Sequence, residues 1–215
     1  MSDLLEPPGR EDTQPTPTYY DRPMLKMPHW DGWNVVTYLF LGGVMGGLGV
    51  IGALASGKRE SDRKLKRTLA VTSLVLSVAC PSVLVTHLGR PERFLHMLRI
   101  MKFKSPMSLG VWGLVFYSNC AGANALRIFP GFFGKLQAVF GAFIMGYTGV
   151  LLSATANPLW SSGKRHIPAA FVCSGMTSAC ALSSLLSTLE GNTEVVHKLE
   201  RLEMLAAAGE LAILT

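Results

Sequence analysis

The sequence predicts an all-α, multi-pass transmembrane helix bundle, and three observations carry that expectation. Charged residues make up only 16% of the chain, against roughly 25% in soluble globular domains. Those charges gather in short blocks instead of spreading evenly. Between the blocks run stretches of about twenty residues with almost no charge, the length a helix needs to cross a hydrocarbon core of about 30 Å. At 215 residues, length alone would suggest one or two soluble domains; the charge distribution overrules it.

An amino-terminal arm, residues 1–33, comes first. It holds six of the twelve prolines, all before residue 29, and reads as an extended segment, disordered until a partner holds it. The transmembrane domain then occupies 34–215. Its first span, Val35 to Ser56, carries no charge. It is too long for the apolar core of a cleavable signal, and no basic segment immediately precedes it. Gly42 and Gly46 are four apart, as are Gly43 and Gly47, and Gly49, Gly52 and Ala53 continue the small face. Small residues at that spacing let helix backbones approach closely in lipid. The alternative use of such a face is a groove for a flat ligand.

The second span, Leu69 to Leu88, has only His87 near its end and is interrupted by Pro81. A kink is expected there, and the carbonyl freed by the missing N–H needs a partner such as a neighbouring Ser or Thr. Gly89-Arg90-Pro91 ends the helix, since Gly permits the left-handed terminus and Pro forbids continuation. From Phe94 to Lys104 apolar and basic residues alternate as they do in a helix lying in the membrane interface, with snorkelling basic side chains. Ser105-Pro106 caps and starts the third span, Met107 to Leu126, and Phe129-Pro130 ends it. The fourth, Leu136 to Ala156, stops at Asn157-Pro158, and the fifth, Ile167 to Leu189, has Pro168 near its start. A sixth apolar run begins near Leu202, and about fourteen residues remain, a rise of about 21 Å that is too short to cross. Five complete spans and the start of a sixth are therefore expected, in a chain that reads as truncated at its carboxyl end.

Lys and Arg divide evenly between the two faces, so density decides the orientation. GKRESDRKLKR, residues 57–67, is an early, short, concentrated cluster of the kind retained in the cytoplasm. The amino terminus and the 86–106 segment then lie on the periplasmic face. A net charge of +6 calls for no nucleic acid, because basic juxtamembrane loops meet anionic headgroups. Cys80, Cys120, Cys173 and Cys180 lie within spans, with no C-x-x-C and no His at ligand spacing. Neither iron–sulfur nor zinc binding by this chain is expected. His29, His87, His96, His166 and His197 stand at span ends or in loops, whereas a membrane b-type haem takes opposed His pairs inside the bilayer. No Asp or Glu occurs in the five complete spans, so an obvious proton relay is missing. Glu203 and Glu210 share a face of the last run, and Glu210 is the one candidate intramembrane carboxylate.

Leu88-Gly89-Arg90-Pro91-Glu92-Arg93-Phe94, followed by Ser105-Pro106-Met107-Ser108-Leu109-Gly110-Val111-Trp112, resembles the signature of the polysulfide reductase membrane-subunit family (NrfD/PsrC-like). Tyr38-Leu39-Phe40-Leu41-Gly42-Gly43, with Gly46-Gly47 one turn on, is similar to that family's first helix. The likeness spans roughly residues 30–215. It implies a haem-free integral subunit of a bacterial inner membrane, exchanging electrons between menaquinone or ubiquinone and an iron–sulfur protein docked at the surface. That partner passes them to a molybdopterin or cytochrome subunit, so this chain would not be catalytic alone. Family members have two four-helix bundles, and this chain would hold one of them with part of a second.

The resemblance also implies a site. The family's quinone lies near the outer ends of the early helices, beside the iron–sulfur partner. Carried onto this sequence, that region offers Trp33, Asn34 and Tyr38 from the first helix and His87, Arg90 and Arg93 from the second connection. Asn34 and Tyr38, four apart, share a helix face and can hydrogen-bond a quinone oxygen, while Trp33 supplies an aromatic wall. His87 suits the transfer of quinol protons, having an ordinary pKa near 6.5. Trp33 and Tyr38 would serve equally as interfacial belt aromatics. Glu92, Arg99 and Lys102 are candidates for partner docking and Glu210 for a proton relay, and no residue is expected to bind a metal. On this reading the 86–106 segment is a lid over the quinone mouth and the docking surface. Two other readings stand beside it. One is a non-catalytic membrane anchor or assembly subunit of a respiratory complex; the other is a small-solute transporter, which lacks the buried charge and the inverted repeat of broken helices that transporters carry.

Overall fold

The computed structural model describes residues 32–55, 57–86, 99, 101–102, 105–154 and 163–214. The amino-terminal arm before residue 32, the interfacial segment over 87–98 and the Asn157-Pro158 stop lie outside the described residues. Six helices account for nearly everything described: α1 (Gly32–Leu54), α2 (Glu60–Thr86), α3 (Pro106–Ala125), α4 (Pro130–Ser153), α5 (His166–Leu189) and α6 (Thr193–Leu214). No strand occurs among the described residues, as an all-α bundle requires.

The described parts of the five apolar stretches fall almost wholly in separate helices, α1 to α5. Among the described residues, three helices are long and apolar enough by themselves to cross a membrane: Trp33–Leu54, Pro130–Ser153 and His166–Leu189. α2 opens on Glu60, Asp62, Arg63, Lys64, Lys66 and Arg67, and an uncharged run from Leu69 to Thr86 follows. α3 carries no charge but interrupts its apolar residues with Ser118, Asn119 and Asn124.

The sixth helix starts earlier than its apolar run. It begins at Thr193 rather than near Leu202, and its 22 residues rise about 33 Å. Val195 and Leu199 are buried in the core that α1, α2 and α5 share, and Leu202 packs against it. His197, Lys198, Glu200 and Arg201 point outward. A search for uncharged stretches passes over this amphipathic first half, where a spacing of three and four was the signal.

The connections show how local chemistry sets the ends. Ser105 is extended at the amino-terminal cap of α3 with Pro106 following, but its side chain makes no capping hydrogen bond. Instead the Lys102 N–H donates to Ser108 Oγ at 3.1 Å, tying the incoming chain to the first turn. Pro130 starts α4 instead of terminating α3, whose last residue is Ala125. The turn between them places Arg127 (φ 58°) and Phe129 (φ 43°) in the left-handed region, uncommon for residues with a side chain. At the α5–α6 turn that conformation falls on Gly191 (φ 72°), which tolerates it. This turn is fastened to the start of α2: Asn192 Nδ2 donates to the Ser61 carbonyl at 3.0 Å, Thr68 bonds Glu190 and Arg59 pairs with Glu194.

Pro81 lies inside α2, and the carbonyl it leaves without an N–H is that of Ser77. Ser118 Oγ on α3 lies 3.4 Å from that oxygen while bonding the Leu114 carbonyl at 2.8 Å. A serine hydroxyl from the next helix thus approaches the broken rung.

Helices α1 to α4 form a ring in which each packs against the next and α4 returns to α1; α5 lies across α1 and α4, and α6 packs chiefly on α5. The α1 glycines are consumed by this packing. A Cβ at Gly46 would run into the carbonyl oxygen of Gly141 on α4, and one at Gly141 into that of Gly46. A Cβ at Gly43 would lie 3.3 Å from the Gly175 Cα of α5, and one at Gly47 would strike Ala179. That face therefore holds backbones, not a flat ligand. Gly52, near the end of α1, is the exception, for a Cβ there meets nothing within 4 Å. Polar side chains such as Ser77, Gln137, Thr148 and Ser183 are buried, while Val71, Val75, Val78, Val139 and Leu185 face outward. This is the arrangement a lipid solvent demands, since apolar groups lose nothing by facing acyl chains and buried polar groups find partners inside.

Candidate functional site

The start of α1, the end of α2, the starts of α3 and α5 and the end of α4 meet at one end of the bundle. Trp33 is 84% exposed and Asn34 is exposed as well, whereas Tyr38 is 7% exposed. The four-residue spacing does put Asn34 and Tyr38 on one face, with Asn34 a turn nearer the rim and Tyr38 inside. The Tyr38 carbonyl accepts a long hydrogen bond from Cys80 Sγ at 3.7 Å. Tyr147, stacked on Phe143 with centroids 5.9 Å apart, fills the space over Gly110, where a Cβ would strike its ring.

The third-helix motif therefore has identifiable local roles: Pro106 opens the helix, Ser108 ties down the connection and Gly110 admits Tyr147. Trp112 ends the motif. Its ring tilts against Phe116 with centroids 5.8 Å apart, and its buried indole N–H has no acceptor among the described residues.

Of the other candidates, His87, Arg90, Glu92 and Arg93 lie outside the described residues. Arg99 and Lys102 are exposed, and Glu210 is partly buried on α6, away from the α1–α4 ring. Among the described residues no group of three or more His, Cys, Asp or Glu is arranged to hold a metal. Cys80, Cys120 and Cys180 are buried free thiols and Cys173 is half-buried.

The bundle interior contains a polar chain that the sequence analysis did not single out. Tyr117 Oη donates to the Met45 carbonyl of α1. Gln137 Nε2 donates to Tyr117 Oη at 3.2 Å, and Asn124 Nδ2 donates to Gln137 Oε1 at 2.9 Å. Ser73 faces the Tyr117 hydroxyl without completing a hydrogen bond. The chain leads to a cleft of about 630 Å³ at the opposite end of the bundle, lined by all four connecting helix ends of the ring. The signal was present: Tyr117, Asn124 and Gln137 are polar residues in or beside apolar stretches, where lipid leaves them no water to bond. A search confined to charges misses them.

An all-α bundle with hydrogen-bonded polar groups inside and apolar groups outside, and with Tyr38 and the Ser105–Trp112 motif at one end, defines a multi-pass integral membrane protein. The polysulfide reductase family (NrfD_2) matches residues 18–214, and the chain belongs to that family, as a membrane subunit of the multi-subunit reductase class. It is similar to the Protein NrfD homolog of Haemophilus influenzae, with 26% identity over 227 residues covering 86% of this chain and 68% of that protein.

Proposed function

We propose that this chain is the quinone-facing subunit of a membrane oxidoreductase, exchanging electrons between menaquinone or ubiquinone and an iron–sulfur subunit docked at the membrane surface. A molybdopterin or cytochrome subunit lies beyond that partner. The observation that carries the proposal is the family match over residues 18–214, which includes both the Leu88–Phe94 and the Ser105–Trp112 motifs.

The residues at the Tyr38 end suit a quinone by their donor chemistry: a phenol, an amide and an indole at one helix start. Quinol, when bound, supplies electrons and protons together. Tyr38 and Asn34 orient the ring by hydrogen bonds to its oxygens, and Trp33 borders it with an aromatic face. His87 accepts a proton at an imidazole nitrogen. Arg90 and Arg93 fix the mouth, and Glu92, Arg99 and Lys102 meet the iron–sulfur subunit. Glu210 offers a carboxylate for the proton's onward path.

The test is gentle purification from native membranes in mild detergent, with iron, quinone and co-eluting subunits measured. A co-eluting iron–sulfur subunit and bound quinone support the proposal. Tyr38→Phe and Arg93→Gln should each weaken binding of a quinone analogue by about tenfold, the loss of one well-made polar contact. Unchanged binding in both variants would sink the site assignment. A lone, quinone-free chain would favour the anchoring reading.

A further inference from the structure

The end of the bundle remote from Tyr38 carries a second site, independent of the quinone assignment. The cleft of about 630 Å³ is rimmed by Arg63, Lys66 and Arg67 from the first turns of α2, and by Arg127 and Lys135 from the α3–α4 connection. No acidic side chain lines it among the described residues. Five cations around one concavity repel one another, and an anion inside relieves that repulsion.

The floor is chemically matched to the rim. Ser73 is 1% exposed and borders the cleft, its hydroxyl facing Tyr117 Oη without a completed hydrogen bond. Asn124 and Gln137 stand beside it with amide groups. Arg127 holds its place on the rim with a left-handed backbone (φ 58°). Gly52 leaves one wall open, as nothing lies within 4 Å of where its Cβ would be.

Guanidinium and ammonium groups above a hydroxyl and amides form the donor set that recognises phosphate oxygens. We propose that this cleft binds a phosphate group, supplied by the headgroup of an anionic phospholipid. The position favours that source: the cations cluster at the end of a membrane-spanning bundle, at headgroup depth, and Leu48 and Leu69 give the cleft an apolar inner wall. The same chemistry would accept free phosphate.

The experiment uses the full chain with its co-eluting subunits, washed into zwitterionic phosphatidylcholine nanodiscs. Phosphatidylglycerol is then titrated and retained lipid is read by native mass spectrometry. Selective retention of phosphatidylglycerol is expected. The double variant Arg67→Gln/Arg127→Gln should retain it about tenfold more weakly. Gly52→Leu, which places a side chain where a Cβ meets nothing within 4 Å, should also lose it. Displacement by millimolar inorganic phosphate would identify a soluble phosphate as the source, and retention unaffected by phosphate would identify the lipid; both support phosphate recognition. Equal retention of phosphatidylglycerol and phosphatidylcholine, or undiminished retention in both variants, would overturn the proposal.

Discussion

Gly46 and Gly52 stand on one helix, six residues apart, and their environments are opposite. At Gly46 an added methyl collides with the Gly141 carbonyl, so Gly46→Ala should cost about 1–3 kcal/mol as overpacking. At Gly52 the methyl meets open space, and Gly52→Ala should be neutral or stabilise by up to about 1 kcal/mol through helix propensity. Thermal unfolding in detergent checks both; equal effects would contradict the packing described. The small-residue face was legible in the sequence because its spacing is a property of one helix. The open side of Gly52 was not, since the cleft beside it is made by residues of α2 and α4. Tyr117 makes the complementary case. Tyr117→Phe removes the acceptor of Gln137 and the donor to Met45, all inside the bundle, and should destabilise by about 1–2 kcal/mol. Unchanged stability would mean that Gln137 finds another partner.

At the scale of the element, Pro81 and Ser118 form a coupled pair. Ser118→Ala removes the hydroxyl that approaches the Ser77 carbonyl, at a cost of about 0.6 kcal/mol. In a Pro81→Ala background the restored N–H can bond that carbonyl, and Ser118→Ala should cost less. A double-mutant cycle measures the difference, and strict additivity would dissociate the two residues. The sequence pointed to this need, because a proline within a span always frees a carbonyl; which serine answers it depends on how α2 meets α3. α6 shows the opposite limit. Its apolar second half was legible and its charged first half was not, as Val195 and Leu199 are hidden among residues that lipid would exclude. The Arg59–Glu194 pair at its start is exposed on both sides, 64% and 50%, so Glu194→Gln should shift stability by less than about 1 kcal/mol.

For the whole molecule, the two ends of the bundle invite a direct test of orientation. With the 57–67 cluster in the cytoplasm, Gly57→Cys should react with an impermeant thiol reagent only from the cytoplasmic side, and Trp33→Cys only from the periplasmic side. The native Cys80, Cys120 and Cys180 are buried and should stay unlabelled in both. The reverse pattern would invert the topology. The fold class was legible because alternating charged and uncharged stretches state the solvent directly. The basic cleft was not: its cations were visible as two separate loops, and only the ring closure of α4 on α1 makes them neighbours. That closure has a further consequence for how the chain is made. α1 leaves the ribosome before α4 and α5, and Gly141 and Gly175, which cover its bare backbone, are synthesised about a hundred residues later, a wait of roughly five to twenty seconds at ordinary translation rates. Through that interval α1 is an inserted helix whose glycine faces have no permanent neighbour. In biogenesis α1 thus passes through a stage in which its bare backbone is exposed to lipid, and α4 and α5 close it only afterwards.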